Sequence, residues 1–270
     1  MSCSLLETLP KLFDSREALI LFVRQIAPWA AGSASDTIGG SHAAREKLKA
    51  IDPIIYARTR NFCNGHVTRL APYIRHGVLS LNAVRNHALT LCSESVHITK
   101  FIQELAWRDF WQRIYAKHQA WIWNDIEKYK TGFDQKDYTN ELPADISKGK
   151  TGLACIDHFI MELSSSGYIH NHARMYLASY VVHFRRIKWQ AGARWFLHHL
   201  LDGDPASNNL SWQWVASTFS NKPYIFNLEN VEKYFGQQVD TSPHCNELLN
   251  ATYEELSLKL FPKLKQDLND

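Results

Sequence analysis

The sequence predicts an all-α fold. Three observations carry that expectation: apolar residues recur at i, i+3, i+4 and i+7 through successive segments, no alternating strand pattern persists anywhere, and proline, glycine and aspartate punctuate the chain where helices would start and stop. At 270 residues the chain is long enough to bury a sizeable core, and no internal repeat breaks it into copies.

Leu9, Leu12, Phe13, Leu19, Phe22, Val23 and Ile26 predict helix between Leu5 and Ile26, interrupted at Pro10 and ended by Pro28. Residues 30–40 read as a linker by composition, His42 to Ala50 as helix, and Asp52-Pro53 as its stop. After a turn-rich stretch over 61–77, helices resume at Leu81 and run strongly from Ile98 to Trp123. A polar stretch, 129–150, precedes helices over 152–163, 171–189 and 192–201. Another follows Asp204-Pro205, where Asp can cap and Pro can take the first helical position. The C-terminal residues 246–264 are amphipathic and read as a closing helix.

Composition narrows the class. Thirty Lys and Arg against 27 Asp and Glu leave a charge of only +3, so contact with nucleic acid requires a local patch rather than overall basicity. Nine Trp and eleven Tyr exceed what a core needs and ask for a role. Five cysteines, odd in number and without a C-x-x-C pair, indicate neither a disulfide framework nor a metal cluster, and fit a reducing cytoplasm. No apolar run approaches the roughly 20 residues of a membrane span, and the N-terminus has no secretory pattern.

Three constellations stand out. On the helix 98–123, Glu104, Trp107, Arg108 and Trp111 share one face, beside an apolar stripe of Ile98, Phe101, Ile102 and Leu105. A carboxylate next to a tryptophan suits hydrogen bonding to and stacking on a nucleobase. A Glu104–Arg108 surface pair beside a half-buried tryptophan is the plainer alternative. Asn171, Arg174, Met175 and Ala178 share a second helical face, flanked by His170 and His172 without metal-ligand spacing, so no metal site is expected. The run DGDPASNNLSWQW (202–214) sets two acids at a helix start, with Asn208, Ser211 and Trp212 following on one face. Those acids suit either a site or the helix dipole.

From about Tyr56 to Phe226 the chain resembles the FAD-binding domain of the photolyase/cryptochrome family. The resemblance rests on TRLAPYIRHGVLS (68–80), FIQELAWRDFW (101–111), KTGLACID (150–157), SGYIHNHARMYLASY (166–180) and HHLLDGDPASNNLSWQWVAS (198–217), in the family's order and spacing. It implies an all-helical domain that holds FAD bent in a cavity open to DNA. Tyr56, Arg60, Thr68, Arg69 and Leu70 then fall where the family contacts the phosphates and adenine side. Arg174 and Asp202 match an ion pair over the isoalloxazine, and Asp204 matches an acid near the flavin and adenine. Asn208 matches the residue facing flavin N5, where an amide resembles photolyases and an Asp resembles plant cryptochromes.

The same resemblance implies a substrate. Glu104, Asn171 and Met175 resemble the type that repairs cyclobutane pyrimidine dimers, with Trp107 and Trp214 as stacking walls around a flipped dinucleotide. Trp212 and Trp189 match the first two members of an electron relay to the flavin. The third tryptophan has no counterpart near Lys136, where Phe133, Tyr138 and Tyr129 are the substitute candidates. Ala71 stands for a usual serine, Tyr168 for a tryptophan, and His172 for an arginine that grips DNA. The expectation is a light-driven lyase acting on UV-damaged DNA, single strands in preference; a blue-light signalling flavoprotein without repair is the alternative. Expected organisation is an extension over 1–50, the FAD-binding domain over 51–226 and a second extension over 227–270. No antenna chromophore and no membrane partner are expected. The face that an antenna domain would bury is covered either by 5–50 or by a second copy of the chain.

Overall fold

Helix starts follow the local chemistry of aspartate and proline. In the computed structural model, which describes residues 9–29, 33–91 and 95–264, Asp52 caps α3 (Pro53–Thr59) by accepting from the backbone N–H groups of Ile54 and Ile55, both at 2.9 Å. Asp52-Pro53 therefore opens a helix as well as ending one. Asp204 caps α11 (Pro205–Ala216) in the same way, accepting from Ser207 N, and Thr252 and Glu255 close a reciprocal capping box at the last helix.

The chain divides at Thr37/Ile38 into two compact units. In the first, α1 (Arg16–Ile26) starts beyond Pro10, capped by Ser15, and Phe13 packs on Phe22 with ring centroids 5.3 Å apart. No residue of α1 is buried. The start of the expected N-terminal helix, at Leu5, lies outside the described residues, as do Cys3, Cys92 and 265–270.

The second unit is about helices alone: α2 (Ser41–Lys49), α3, α4 (Ala71–Arg75), α5 (Leu81–Leu91), α6 (Ser95–Lys117), α7 (Ala144–Ser147), α8 (Ala154–Ser166), α9 (Asn171–Ser179), α10 (Trp189–His199), α11 (Pro205–Ala216), α12 (Leu228–Phe235) and α13 (Tyr253–Leu260). Among the described residues there is no strand, and the all-α expectation holds. The main core draws on α8 to α12. A second cluster joins α2, α4 and α5 to Ile98 and Phe101 of α6, so α2 packs Ala44 with Leu70 and Tyr73. Residues 228–239 contribute Leu228, Val231, Phe235 and Val239 to the main core.

Two departures from the periodicity have physical causes. The spacing predicts one helix over 171–189, yet α9 ends at Ser179, widens into a π turn (Tyr180–Phe184) and breaks before α10. Thr139 causes the break: its N–H donates to Arg186 O at 2.8 Å and its carbonyl accepts from Lys188 N at 2.9 Å. That pairing draws 186–188 out of helical geometry, with Arg186 at φ +50°. Likewise the polar stretch 129–150 is ordered, burying Tyr129, Tyr138 and Ile146 against the core. The long helix expected to Trp123 stops at Lys117, with a separate 3-10 turn over Gln119–Ile122.

Gly192 of α10 is required by contact. A Cβ built there would lie 2.2 Å from the Trp212 ring, which also meets Phe196 edge-on at 4.9 Å. Gly192→Ala is expected to destabilise by about 1–3 kcal/mol, as overpacking does, and to alter the near-UV circular dichroism of Trp212; an unchanged denaturation midpoint would contradict the packing described.

Two buried histidines make stability depend on pH. Burial pulls His183 down to about 4 although its Nε2 meets Val215 O at 2.9 Å, and burial with neighbouring His170 pulls His172 to about 4. Both are neutral in the folded chain, whereas an unfolded histidine titrates near 6.5. As pH falls from about 6.5 toward 4 the unfolded chain takes up protons first, so stability full above 6.5 is lost on acidification. His183, fully buried, contributes a loss of about 2 kcal/mol at pH 5, and His172, partly exposed and so partly screened, contributes less. Urea midpoints at pH 7.5 and 5 test this, and His183→Gln should shrink the difference.

Candidate functional site

A cleft opens between α3, α6, α9 and α11. It has two adjoining lobes of about 320 and 730 Å3, whose shared walls include Arg60, Glu104, Trp107, Asn171, Arg174 and Asp202. Tyr56, Thr68, Arg69 and Leu70 line the smaller lobe. Met175, Asp204, Asn208, Trp212 and Trp214 line the larger. The residues expected to hold the cofactor and the dimer all line this cleft, as does Trp212, whereas Trp189, His170, His172 and the relay candidates Phe133, Tyr138 and Tyr129 do not.

Charge organises the floor. Arg174, from α9, donates to Asp202 at 3.0 Å and through Nε to Ile169 O at 3.1 Å. Asp204 accepts from Ser207 N at 2.7 Å as the α11 cap, and its other oxygen receives Gln112 Nε2 at 2.6 Å and lies 3.6 Å from Arg108. A carboxylate this buried is tolerable only when paired and hydrogen-bonded, and Asp204 is both. Arg108 is thus turned to Asp204. Glu104 pairs instead with Lys100 at 2.9 Å and Arg60 at 3.4 Å, so the surface pair Glu104–Arg108 does not form.

Arg60 is held from behind. Its carbonyl oxygen lies 2.9 Å from His170 Nε2, which must donate, while His170 Nδ1 accepts from His172 N at 3.2 Å. Burial pulls the His170 pKa down, consistent with this neutral tautomer. Tyr56 stands nearby with its phenol pushed up to about 12 by burial and by the Glu104 charge.

Asn208 can be oriented without ambiguity. Its Nδ2 donates to Ala193 O at 3.0 Å and to Asn209 Oδ1 at 2.9 Å, and Asn209 is itself fixed by donating to Ile122 O at 2.6 Å. With both amide hydrogens committed, what Asn208 offers the cleft is an acceptor, Oδ1. Asp202 Oδ1, Ser207 Oγ and Trp212 Nε1, all cleft-lining, are buried and without a hydrogen-bond partner. Such groups are rare in a settled interior and mark where a polar ligand belongs.

At the mouth Trp107 and Trp214 are 45% and 41% exposed, too open for core residues. Asn171 and Met175 sit together below them, amide to sulfur at 3.7 Å. Trp189 lies outside the cleft, fully buried in α10, its indole N–H donating to Asp125 at 2.6 Å. Tyr138 stacks on Tyr129 at 4.3 Å and is itself buried. Tyr168 lies under the Arg69 guanidinium, 4.5 Å from it. His172 packs on Tyr234 at 4.8 Å rather than reaching into solvent. Among the described residues no three His, Cys, Asp or Glu side chains converge on a metal position.

Gln112, Ser207 and His170 were not assigned roles from sequence. Gln112 had a signal, since it follows Arg108 by four residues and so shares its face. The contacts of Ser207 and His170 arise only from tertiary placement.

Comparison with known proteins places this cleft. Residues 101–245 match the family model for the FAD binding domain of DNA photolyase. The deoxyribodipyrimidine photo-lyase of Alkalihalophilus pseudofirmus is 33% identical over 178 residues, 63% of this chain and 36% of its own length. That of Halobacterium salinarum is 30% identical over 210 residues, 72% of this chain and 44% of its own. The chain thus spans less than half the length of either relative. The crystal structure of the Sulfolobus tokodaii photolyase with two FAD molecules superposes with a TM-score of 0.70 at 23% identity, over 90% of this chain and 60% of the other. The donors present fit FAD: the guanidinium groups of Arg60 and Arg69 with Thr68 suit a pyrophosphate, and the orphaned oxygens and indole N–H suit the polar edges of a flavin. With the model spanning most of the cleft-forming helices, and an all-helical frame shared with a photolyase, the chain belongs to the family of the photolyase FAD-binding domain, and FAD is its cofactor.

Proposed function

We propose that the cleft carries light-driven splitting of cyclobutane pyrimidine dimers in DNA. The observation that supports it is the mouth itself, where two half-exposed tryptophans, Trp107 and Trp214, flank Glu104, Asn171 and Met175 above the cofactor floor. When bound and reduced, FAD supplies the light absorption and the electron that the reaction needs. The protein supplies position. Trp107 and Trp214 stack on a dinucleotide taken out of the helix, and Glu104 and the Asn171 amide address its base edges. Arg60 and Lys100 keep Glu104 in place. Asn208, its amide hydrogens committed elsewhere, would offer bound FAD the acceptor Oδ1, which would favour the protonated, reduced flavin. Tyr56, Arg60, Thr68, Arg69 and the Leu70 backbone hold the phosphate and adenine end. Arg174 with Asp202 and Asp204 hold the flavin side. Trp212 and Trp189 form the inner part of an electron relay, with Asp125 fixing the second ring.

Single strands are the preferred substrate. Overall charge is only +3, and His172 is packed on Tyr234 instead of presenting a cation, so little electrostatic hold is available to offset the few kcal/mol of extracting a dimer from a duplex.

Illuminating the reduced, FAD-loaded protein with thymine-dimer oligonucleotides should lower dimer content, faster in single strands than in duplex. Unchanged dimer content in both would overturn the proposal, and a flavin photocycle without dimer loss would favour the signalling alternative. Trp107→Ala should weaken binding of the dimer strand by roughly tenfold or more, read by fluorescence anisotropy in the dark.

A further inference from the structure

Six aromatic rings form a continuous strip that leaves the larger lobe and runs along the outside of α6. Trp107 stacks on Trp111 with centroids 5.5 Å apart and planes 23° apart, and Phe110 meets Trp111 at 5.0 Å. Trp111 meets Phe219 at 5.8 Å, Phe219 meets Trp121 at 6.3 Å, and Trp121 stacks on His118 at 3.9 Å and 8°. Trp107, Phe110, Trp111 and His118 belong to one stripe of α6 and its end.

None of the six belongs to a buried apolar cluster of the described residues, and all keep solvent exposure, Trp107 45% and Phe110 40%. A seam sealed for stability alone would bury such rings, since their area is the largest apolar contribution available. The strip starts among the cleft-lining residues and ends beyond them, because His118 and Trp121 do not line either lobe.

Two unpaired cations accompany it. Lys117, which precedes His118, and Lys222, three residues after Phe219, are exposed and form no ion pair among the described residues. The nearby acids are neutralised: Asp109 by Arg113 at 2.6 Å, and Glu127 by Lys130. Half-exposed rings with cations alongside are what binds unpaired nucleotides without regard to sequence, because every base has a face to stack. Paired bases in a duplex have no free faces to offer.

We propose that this strip is a track for the unpaired nucleotides flanking the lesion on one side, so that the chain reads a damaged site as a single strand several nucleotides long. The inference rests on DNA being the partner of the cleft, and it makes the preference for single strands an attractive interaction in addition to a saving in extraction cost.

The test uses FAD-loaded protein in the dark and fluorescently labelled strands: a thymine-dimer dinucleotide alone, the same with four nucleotides added on the 5′ side or on the 3′ side, and an undamaged oligothymidylate. One of the two extensions should tighten binding by tenfold or more. Trp121→Leu, which keeps apolar bulk but lacks a ring, and His118→Ala should each remove about tenfold of that gain and leave the dinucleotide affinity unchanged. Trp121→Phe should restore it. The track is refuted if neither extension tightens binding, or if Trp121→Leu retains the whole gain. Ring-dependent binding of undamaged strands without any dimer splitting would uphold the track and sink the repair reading; splitting with no dependence on flanking length would do the reverse.

Discussion

The turn between α10 and α11 holds two carboxylates two residues apart, and the geometry of the cleft depends on how their charge is met. Asp202 is tied to Arg174 of α9, and Asp204 to Arg108 and Gln112 of α6. Removing either cation would leave a buried charge uncompensated, at a cost of several kcal/mol, so α6, α9 and α11 are obliged to converge on this turn. Asp204 also caps α11, which fixes the direction in which Ser207, Asn208 and Trp212 point. The same constraint that closes the fold thus sets which side chains line the cleft. Asp202 gives only one oxygen to Arg174 and leaves the other free in the cleft, so the pairing is structural and still available to a ligand.

Much of this was legible along the chain. Aspartate before proline at 204–205 announced a capped helix, and the face Glu104, Trp107, Arg108 and Trp111 was visible from spacing alone. Which cation met which acid was not visible. Helical spacing put Glu104 and Arg108 together, whereas the tertiary structure offers Arg108 a buried acid and gives Glu104 to Lys100 and Arg60. The break after Ser179 depends on Thr139, some forty residues earlier in the chain, and periodicity carries no trace of such a partner. The same holds for His170, which looks like a surface histidine beside a helix start and in fact secures the backbone of Arg60.

Outside the floor, the cleft changes character: paired charges and committed amides give way to the exposed rings of Trp107 and Trp214 at the mouth. Gly192 serves the boundary between these zones by letting the Trp212 ring lie against α10. The inner tryptophan Trp189, by contrast, is held by the Asp125 carboxylate at a depth where neither lobe reaches it.

The claim on which the account turns is that the unpartnered polar atoms of the cleft are ligands of FAD. Titrating the apoprotein with FAD, followed through the change in flavin fluorescence, tests it directly for the native chain, Ser207→Ala and Asp202→Asn. Each lost hydrogen bond to the cofactor should weaken binding, severalfold for Ser207→Ala and roughly tenfold or more for Asp202→Asn, with the thermal midpoint of Ser207→Ala apoprotein unchanged. Equal FAD affinity in all three proteins would contradict it.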